Sequence, residues 1–304
     1  MLTITCGVCA ACDPGSEMNQ VLTTLLPAGL AIIMFSLGLG LVLDDFRRVA
    51  TYPLAFSVGA INQLVILPLV AFAFATFAGL PGELAFGVMI LAFCPGGVTS
   101  NLMTKFARGD VALAVSLTAV ISIVAIFTVP PLASLASGHL LDATAPPVNV
   151  TRLGITMALI TAAPVMLGMA VRAYAPGIAR KGEPIMSNLS ALLFAVIVVL
   201  ALYTNWDVFI GNLPLLGPVL AAIIVAMFAI GYLSGRLFGL STSISSAIAI
   251  ETGTQNATLG ITIGALIAGS TDGISSYSLP SGVYGILMYF LVVPFIFWRR
   301  MAER

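Results

Sequence analysis

Long apolar runs separated by short polar connections organise the whole chain. Nine stretches are apolar over about the 20 residues that cross a bilayer: 19–43, 51–79, 82–107, 110–138, 151–174, 187–210, 213–238, 241–270 and 279–298. Several exceed that minimum, which predicts tilt or interruption. Polar clusters fall between the runs, as in DDFRR at 44–48 and RKGEP at 180–184. The pattern predicts an all-α polytopic membrane protein with nine transmembrane helices. It divides the chain into an extracytoplasmic segment over 1–18, one transmembrane domain over 19–298 and a cytoplasmic tail over 299–304.

Nine spans put the two termini on opposite sides of the membrane. With the N-terminus outside, eleven of the twelve Lys and Arg residues fall on the inner side and only Arg152 falls outside. Cytoplasmic loops carry that excess of basic residues, so the expected orientation is N-out, C-in, in the cell membrane. Composition agrees: 60% of the 304 residues are hydrophobic and 8% charged, against about 25% charged in soluble domains. The formal net charge is zero, and no basic stripe suited to nucleic acid is present.

Most acidic residues lie at the ends of runs, where long side chains reach the interface. Glu251 does not. It sits about ten residues into the eighth run, near mid-depth at about 1.5 Å rise per residue. Ionisable residues there are rare and usually functional. No Lys or Arg lies at comparable depth, and the single histidine, His139, is at a span end. The carboxyl is therefore either protonated or balanced by a cation that is not part of the chain.

The surroundings favour a metal cation. Residues 251–256 read ETGTQN. Gln255 is four residues past Glu251, on the same face if the helix continues. Gly253, between Thr252 and Thr254, predicts a break that exposes main-chain carbonyls. Carboxylate, amide and carbonyl oxygens suit hard cations. A second interruption is expected at Pro95, Gly96 and Gly97 in the third run. Thr99, Ser100 and Asn101 follow it, placed either to cap the restarted half-helix or to offer oxygens to an ion. Paired broken spans in two halves of a chain mark a transporter binding site.

Other motifs carry less. Cys6, Cys9 and Cys12 cluster near the N-terminus but lack a fourth ligand nearby. Cys94, just before the first break, reads as a small packed residue. An intramembrane enzyme needs a catalytic constellation, and neither a second deep acid nor a GxSxG nucleophile is present.

Three stretches, IIMFSLGLGL (32–41), FCPGGVTSNLMTKFARGDVALAVSLT (93–118) and ETGTQNATLG (251–260), resemble the bile acid:sodium symporter family over nearly the whole chain. The resemblance implies an inverted repeat in the nine-helix form that lacks the first helix. A core domain (51–138 and 213–298) would hold two crossing broken helices, beside a panel of 19–43, 151–174 and 187–210. It implies no cofactor beyond sodium as coupling ion. The first sodium site would use Ser100, Asn101, Thr118 and Glu251. A further ligand position aligns with Ala114, which has no side-chain oxygen; that site then uses water, uses Ser122 one turn past Thr118, or binds weakly. The second site would use Gln63, Glu251 and Gln255, with carbonyls of Thr252 and Thr254. Asn256, Val98 and Thr99 would face an organic-anion substrate, bile-acid-like or a small carboxylate. The implied function is sodium-coupled symport by alternating access. The alternatives are a proton-coupled carrier, with Glu251 titrating, and a metalloid or arsenite-type permease, invited by Cys94.

Overall fold

The computed structural model describes residues 14–42, 46–47, 50–142, 147–204, 206–269 and 275–302. The three N-terminal cysteines lie outside them. The described chain is helical. We number the helices α1 (Pro14–Gly40), α2 (Pro53–Phe77), α3 (Gly82–Phe93), α4 (Val98–Phe106), α5 (Val111–Leu140), α6 (Val150–Tyr174), α7 (Pro176–Thr204), α8 (Trp206–Leu237), α9 (Thr242–Gly253), α10 (Ala257–Ala268) and α11 (Leu279–Met301). Five of the described segments are long and apolar enough to cross a membrane: α2, α5, α6, residues Phe209–Leu237 of α8, and α11. α3 and α4, and likewise α9 and α10, are each too short to cross alone, and each pair is a single run interrupted in the middle.

Several boundaries differ from those read off the apolar runs. α1 starts at Pro14, so residues 14–18 of the expected extracytoplasmic segment are helical. α7 starts at Pro176 and carries the RKGEP stretch within it. Apolar length reports how much chain the bilayer core can hold, and a helix can run on past that core into polar surroundings. α11 extends beyond 298 to Met301. Arg299, placed in the tail from sequence, is therefore helical and only 1% exposed. Its Nε donates to Ser246 Oγ of α9 at 2.6 Å, and its guanidinium lies against the rings of Tyr232 and Trp298. A buried cation needs such partners.

Two stretches inside long helices widen to π geometry: Asn62–Ile66 in α2 and Ala158–Ala162 in α6. Prolines follow closely, at Pro68 and Pro164, and remove an amide donor from the ladder. A π turn shifts the phase of side chains, which lets the adjacent Asn62 and Gln63 both point inward. Both are buried.

α1 packs mainly on α6 and α7, while α8 packs on α9 and α11. α3 lies among α2, α5, α10 and α11. The main apolar core includes Phe86, Ile90, Leu220, Ile224 and Val292. A smaller cluster joins Leu117, Ala247 and Ile248 and contains Ala114.

Candidate functional site

The first break spans Cys94 to Gly97. Cys94 is extended after α3, and Gly97, also extended, precedes α4. No side chain caps α4, so the capping role open to Thr99, Ser100 and Asn101 is not taken. The second break lies at Thr254–Asn256, not at Gly253. Gly253 is the last residue of α9, and Thr254 is extended. What requires glycine at 253 is space, since a Cβ there would press on the Phe228 ring. Asn256 caps α10, its side chain accepting from Leu259 N at 3.0 Å. Because the helix ends between Glu251 and Gln255, the two do not share a helical face.

The breaks meet each other. Gly96 and Gln255 form an isolated antiparallel bridge, and Asn256 N donates to Pro95 O at 2.9 Å. Each unwound segment thereby satisfies backbone groups that its own helix has released. Tyr284 of α11 adds to this, its hydroxyl donating to Gly253 O at 2.9 Å.

Glu251 is 1% exposed. Ser100 Oγ donates to its Oε2 at 2.6 Å, and Thr118 Oγ1 donates to Oε1. α9, α4 and α5 thus each contribute one side chain to a single cluster. Gly96 seals it from the other break, where a Cβ would collide with the carboxyl. Among the described residues, no cation neutralises the group. Ser100 Oγ also lies 2.6 Å from Gly97 O, so one hydroxyl proton faces two acceptors. Asn101, beside Ser100, has a buried Oδ1 without a hydrogen-bond partner. Ala114 packs in the small apolar cluster. Ser122 lines an apolar cavity of about 440 Å³ beside α1 and α6 and is not among the carboxyl's hydrogen-bond partners.

A second cluster adjoins the first. Gln63 Nε2 donates to Gln255 Oε1 at 2.6 Å and to Cys94 O at 3.0 Å. Gln255 Nε2 donates to Thr252 O at 2.9 Å. The hydroxyls of Thr252 and Thr254 turn back to carbonyls of α9, at Ile248 and Ile250. This leaves carbonyl and amide oxygens as the chemistry of the cluster. Cys94 is buried, and its thiol points to Ile90 O at 3.3 Å, as a packed residue does.

Beside both breaks lies a cavity of about 150 Å³. Gly97, Thr99 and Leu102 line it from the first break and α4, and Gln255, Asn256, Ala257 and Thr258 from the second break and α10. Ile33 of α1 and Ser187, Asn188, Ser190 and Ala191 of α7 form the facing wall. Met288 and Tyr289 of α11 complete it, and Tyr289 OH donates to Thr99 Oγ1 at 3.1 Å. Val98 is the first residue of α4, but its side chain lies outside what is described.

Sequence reasoning missed Tyr284, Tyr289, Ser190 and Arg299. Tyrosines are common near span ends, and nothing in their spacing announces a partner in another helix. Arg299 follows Trp298 and precedes Arg300, an ordinary inner-end cluster by pattern.

Residues 27–212 match the sodium bile acid symporter family. That stretch holds Gln63, the first break and Thr118; Glu251 to Asn256 lie beyond it. A probable sodium/metabolite cotransporter of chloroplasts in Oryza sativa subsp. japonica is 35% identical over 161 residues, 53% of this chain and 37% of the relative. An uncharacterised sodium-dependent transporter of Bacillus subtilis is 37% identical over 145 residues, 48% of this chain and 44% of its own. The ileal sodium/bile acid cotransporter of Oryctolagus cuniculus is 33% identical over 113 residues, 37% of this chain and 33% of its own. Each match thus spans less than half of the relative's length. With the family match covering more than half of this chain, the protein belongs to the sodium bile acid symporter family.

Proposed function

We propose that the protein is a secondary carrier that moves a small organic anion across the membrane together with sodium, by alternating access. The family is one of transporters, not enzymes. The observation that carries the proposal is the meeting of two helix breaks around Glu251. Oxygens from α4, α5 and α9 converge there, Gln63 of α2 meets Gln255 of the second break, and Asn101, next to Ser100 in α4, has a buried Oδ1 without a partner. Acceptors in excess of donors, next to a buried carboxyl, suit a hard cation. In this reading Ser100, Asn101, Thr118 and Glu251 receive one sodium. Gln63, Gln255, Glu251 and the carbonyls of Thr252 and Thr254 receive another.

The anion binds in the cavity beside the breaks. No Lys, Arg or His lines it, so attraction comes from the N-terminal ends of α4 and α10, whose amides and dipoles favour negative charge. α1, α6 and α7 act as the panel, and the broken helices with α2, α5, α8 and α11 as the core. The chain crosses the cell membrane nine times, N-out and C-in, and panel and core rock about the breaks.

Uptake into proteoliposomes tests this. A sodium gradient drives accumulation of a substrate acid, and replacing sodium with choline abolishes it. Uptake unchanged in choline would sink sodium coupling. One observation supports a second reading, in which a proton takes the first site. Ser100 faces two acceptors with one proton, and a protonated Glu251 would resolve that by donating to Ser100. That reading requires uptake driven by a pH gradient without sodium.

A further inference from the structure

The second cluster needs Gln63 of α2 and the Thr252 carbonyl of α9 at a fixed spacing, and neither helix sets that spacing alone. We propose that Ser234 of α8 is a positioning residue for the second cation site: it anchors Asn62, and through Asn62 it holds the Gln63 amide against Gln255. The proposal rests on the two-sodium reading above and adds to it a residue outside the ligand set.

The backbone of α2 creates the need for an anchor. Asn62 opens the π turn, and its carbonyl accepts from Leu67 N, five residues on, in place of the usual α-helical bond. Such turns are rare and occur mostly as single turns at functional sites. Pro68 follows and has no N–H to give the ladder. A return to α geometry would rotate the two amide residues against the rest of α2 by about 100°, the angular step of one residue. Contacts outside the helix must therefore hold the phase.

α8 supplies that contact. Asn62 is 4% exposed, and its Nδ2 donates to Ser234 Oγ at 2.7 Å. Ser234 Oγ in turn donates to Gly231 O within α8 at 3.1 Å, so the hydroxyl both accepts and donates. Gln63 is the next residue in α2. Its Nε2 reaches both breaks, at Gln255 Oε1 and Cys94 O.

The same stretch of α8 also fixes α9. A Cβ on Gly231 would lie 2.6 Å from Thr252 Oγ1 and 2.7 Å from Ala249 Cα, so the two helices meet there without a side chain between them. Thr252 Oγ1 donates to Met227 O at 3.3 Å, and the Phe228 ring packs on Gly253. Residues 227–234 thus touch both halves of the cluster: Asn62 beside Gln63, and Thr252, whose carbonyl accepts from Gln255 Nε2. A hard cation is held by oxygens at short range, and a site must be kept within about 0.5 Å of its working geometry. Removing a group that orients a metal ligand commonly costs about ten- to hundredfold in affinity.

The test is a sodium titration of the melting temperature of the purified full-length protein, with choline keeping ionic strength constant. Ser234→Ala and Asn62→Ala should each raise the Kd for sodium about tenfold. The double variant should be no worse than either single one, because both delete the same contact. Ser234→Thr keeps the hydroxyl and should stay within threefold of the wild type. Val129→Ala, a buried core position eleven residues past Thr118 in α5, should lower the melting temperature in choline and leave the Kd unchanged. A Kd within twofold of the wild type in Ser234→Ala overturns the inference and leaves the two-sodium reading standing. So do additive losses in the double variant, an equal loss in Ser234→Thr, or an equal loss in Val129→Ala. Either single alanine variant reads the same bond, so if one fails to fold the other decides. A wild type that sodium does not stabilise overturns the two-sodium reading and this inference with it.

Discussion

Glu251→Gln removes a formal charge and changes almost nothing else. The carboxyl accepts one hydrogen bond from Ser100 and one from Thr118. In the amide, one oxygen still accepts, and the –NH2 group donates to whichever hydroxyl rotates to receive it. The folded state then loses about 1 kcal/mol at most, the net value of one hydrogen bond. The effect on a bound sodium is much larger. Two unit charges about 4 Å apart at an effective dielectric of about 20 attract by roughly 4 kcal/mol. That corresponds to about a thousandfold in Kd. The assay is thermal stability of the detergent-solubilised protein against sodium at constant ionic strength, with choline as balance. A ligand at about one hundred times its Kd stabilises the native state by roughly 2.7 kcal/mol. The wild type should therefore show a saturable rise in melting temperature, and the variant, at the same sodium, almost none. The variant's melting temperature in choline should stay near the wild type's, because its packing is unchanged. If Glu251→Gln responds to sodium with a Kd within threefold of the wild type, the carboxyl is not the counter-charge, and the reasoning fails.

Gln255→Ala should abolish sodium-driven uptake, because it removes the amide that links Gln63 to Thr252 O; retained coupling in proteoliposomes would contradict the second site. Gly96→Ala should lower both melting temperature and sodium affinity, since the added methyl collides with the Glu251 carboxyl; a wild-type sodium titration would argue against that contact. Ala114→Ser should leave or increase sodium affinity if the position borders the first site, and a clear loss on the same titration would place the ion elsewhere. Tyr284→Phe should destabilise the protein by about 1–3 kcal/mol, because Gly253 O loses its buried donor and no water replaces it.

Much of the architecture was legible along the chain. Apolar runs of bilayer length predicted the helices, because length and hydropathy are local quantities that a membrane reads directly. Pro95-Gly96-Gly97 announced the first break for the same local reason: neither proline nor glycine sustains a helix. Glu251 stood out because a carboxyl amid apolar residues is costly wherever its partners lie. Ser100 was named by its place just after the first break and Thr118 through family resemblance, and the structure brings both to the carboxyl.

What the chain alone left undecided depends on contacts between distant segments. Gly253 looked like the breaking residue, yet it is the last residue of the helix, and the unwound stretch is the one after it, where Gln255 finds Gly96 to pair with. A helix unwinds where another segment can accept its released backbone groups, and that segment lies more than 150 residues away. Gln63 reaches Gln255 because a π turn rotates it inward, a phase change that average periodicity hides. Arg299 reads as an inner-end cation, and only the packing of α9 and α11 puts it beside Ser246. Ser190 is the plainest case, since its sequence neighbourhood is ordinary. Whether a hydroxyl is satisfied is a property of everything around it in space, so only the tertiary structure decided that this one is buried without a hydrogen-bond partner.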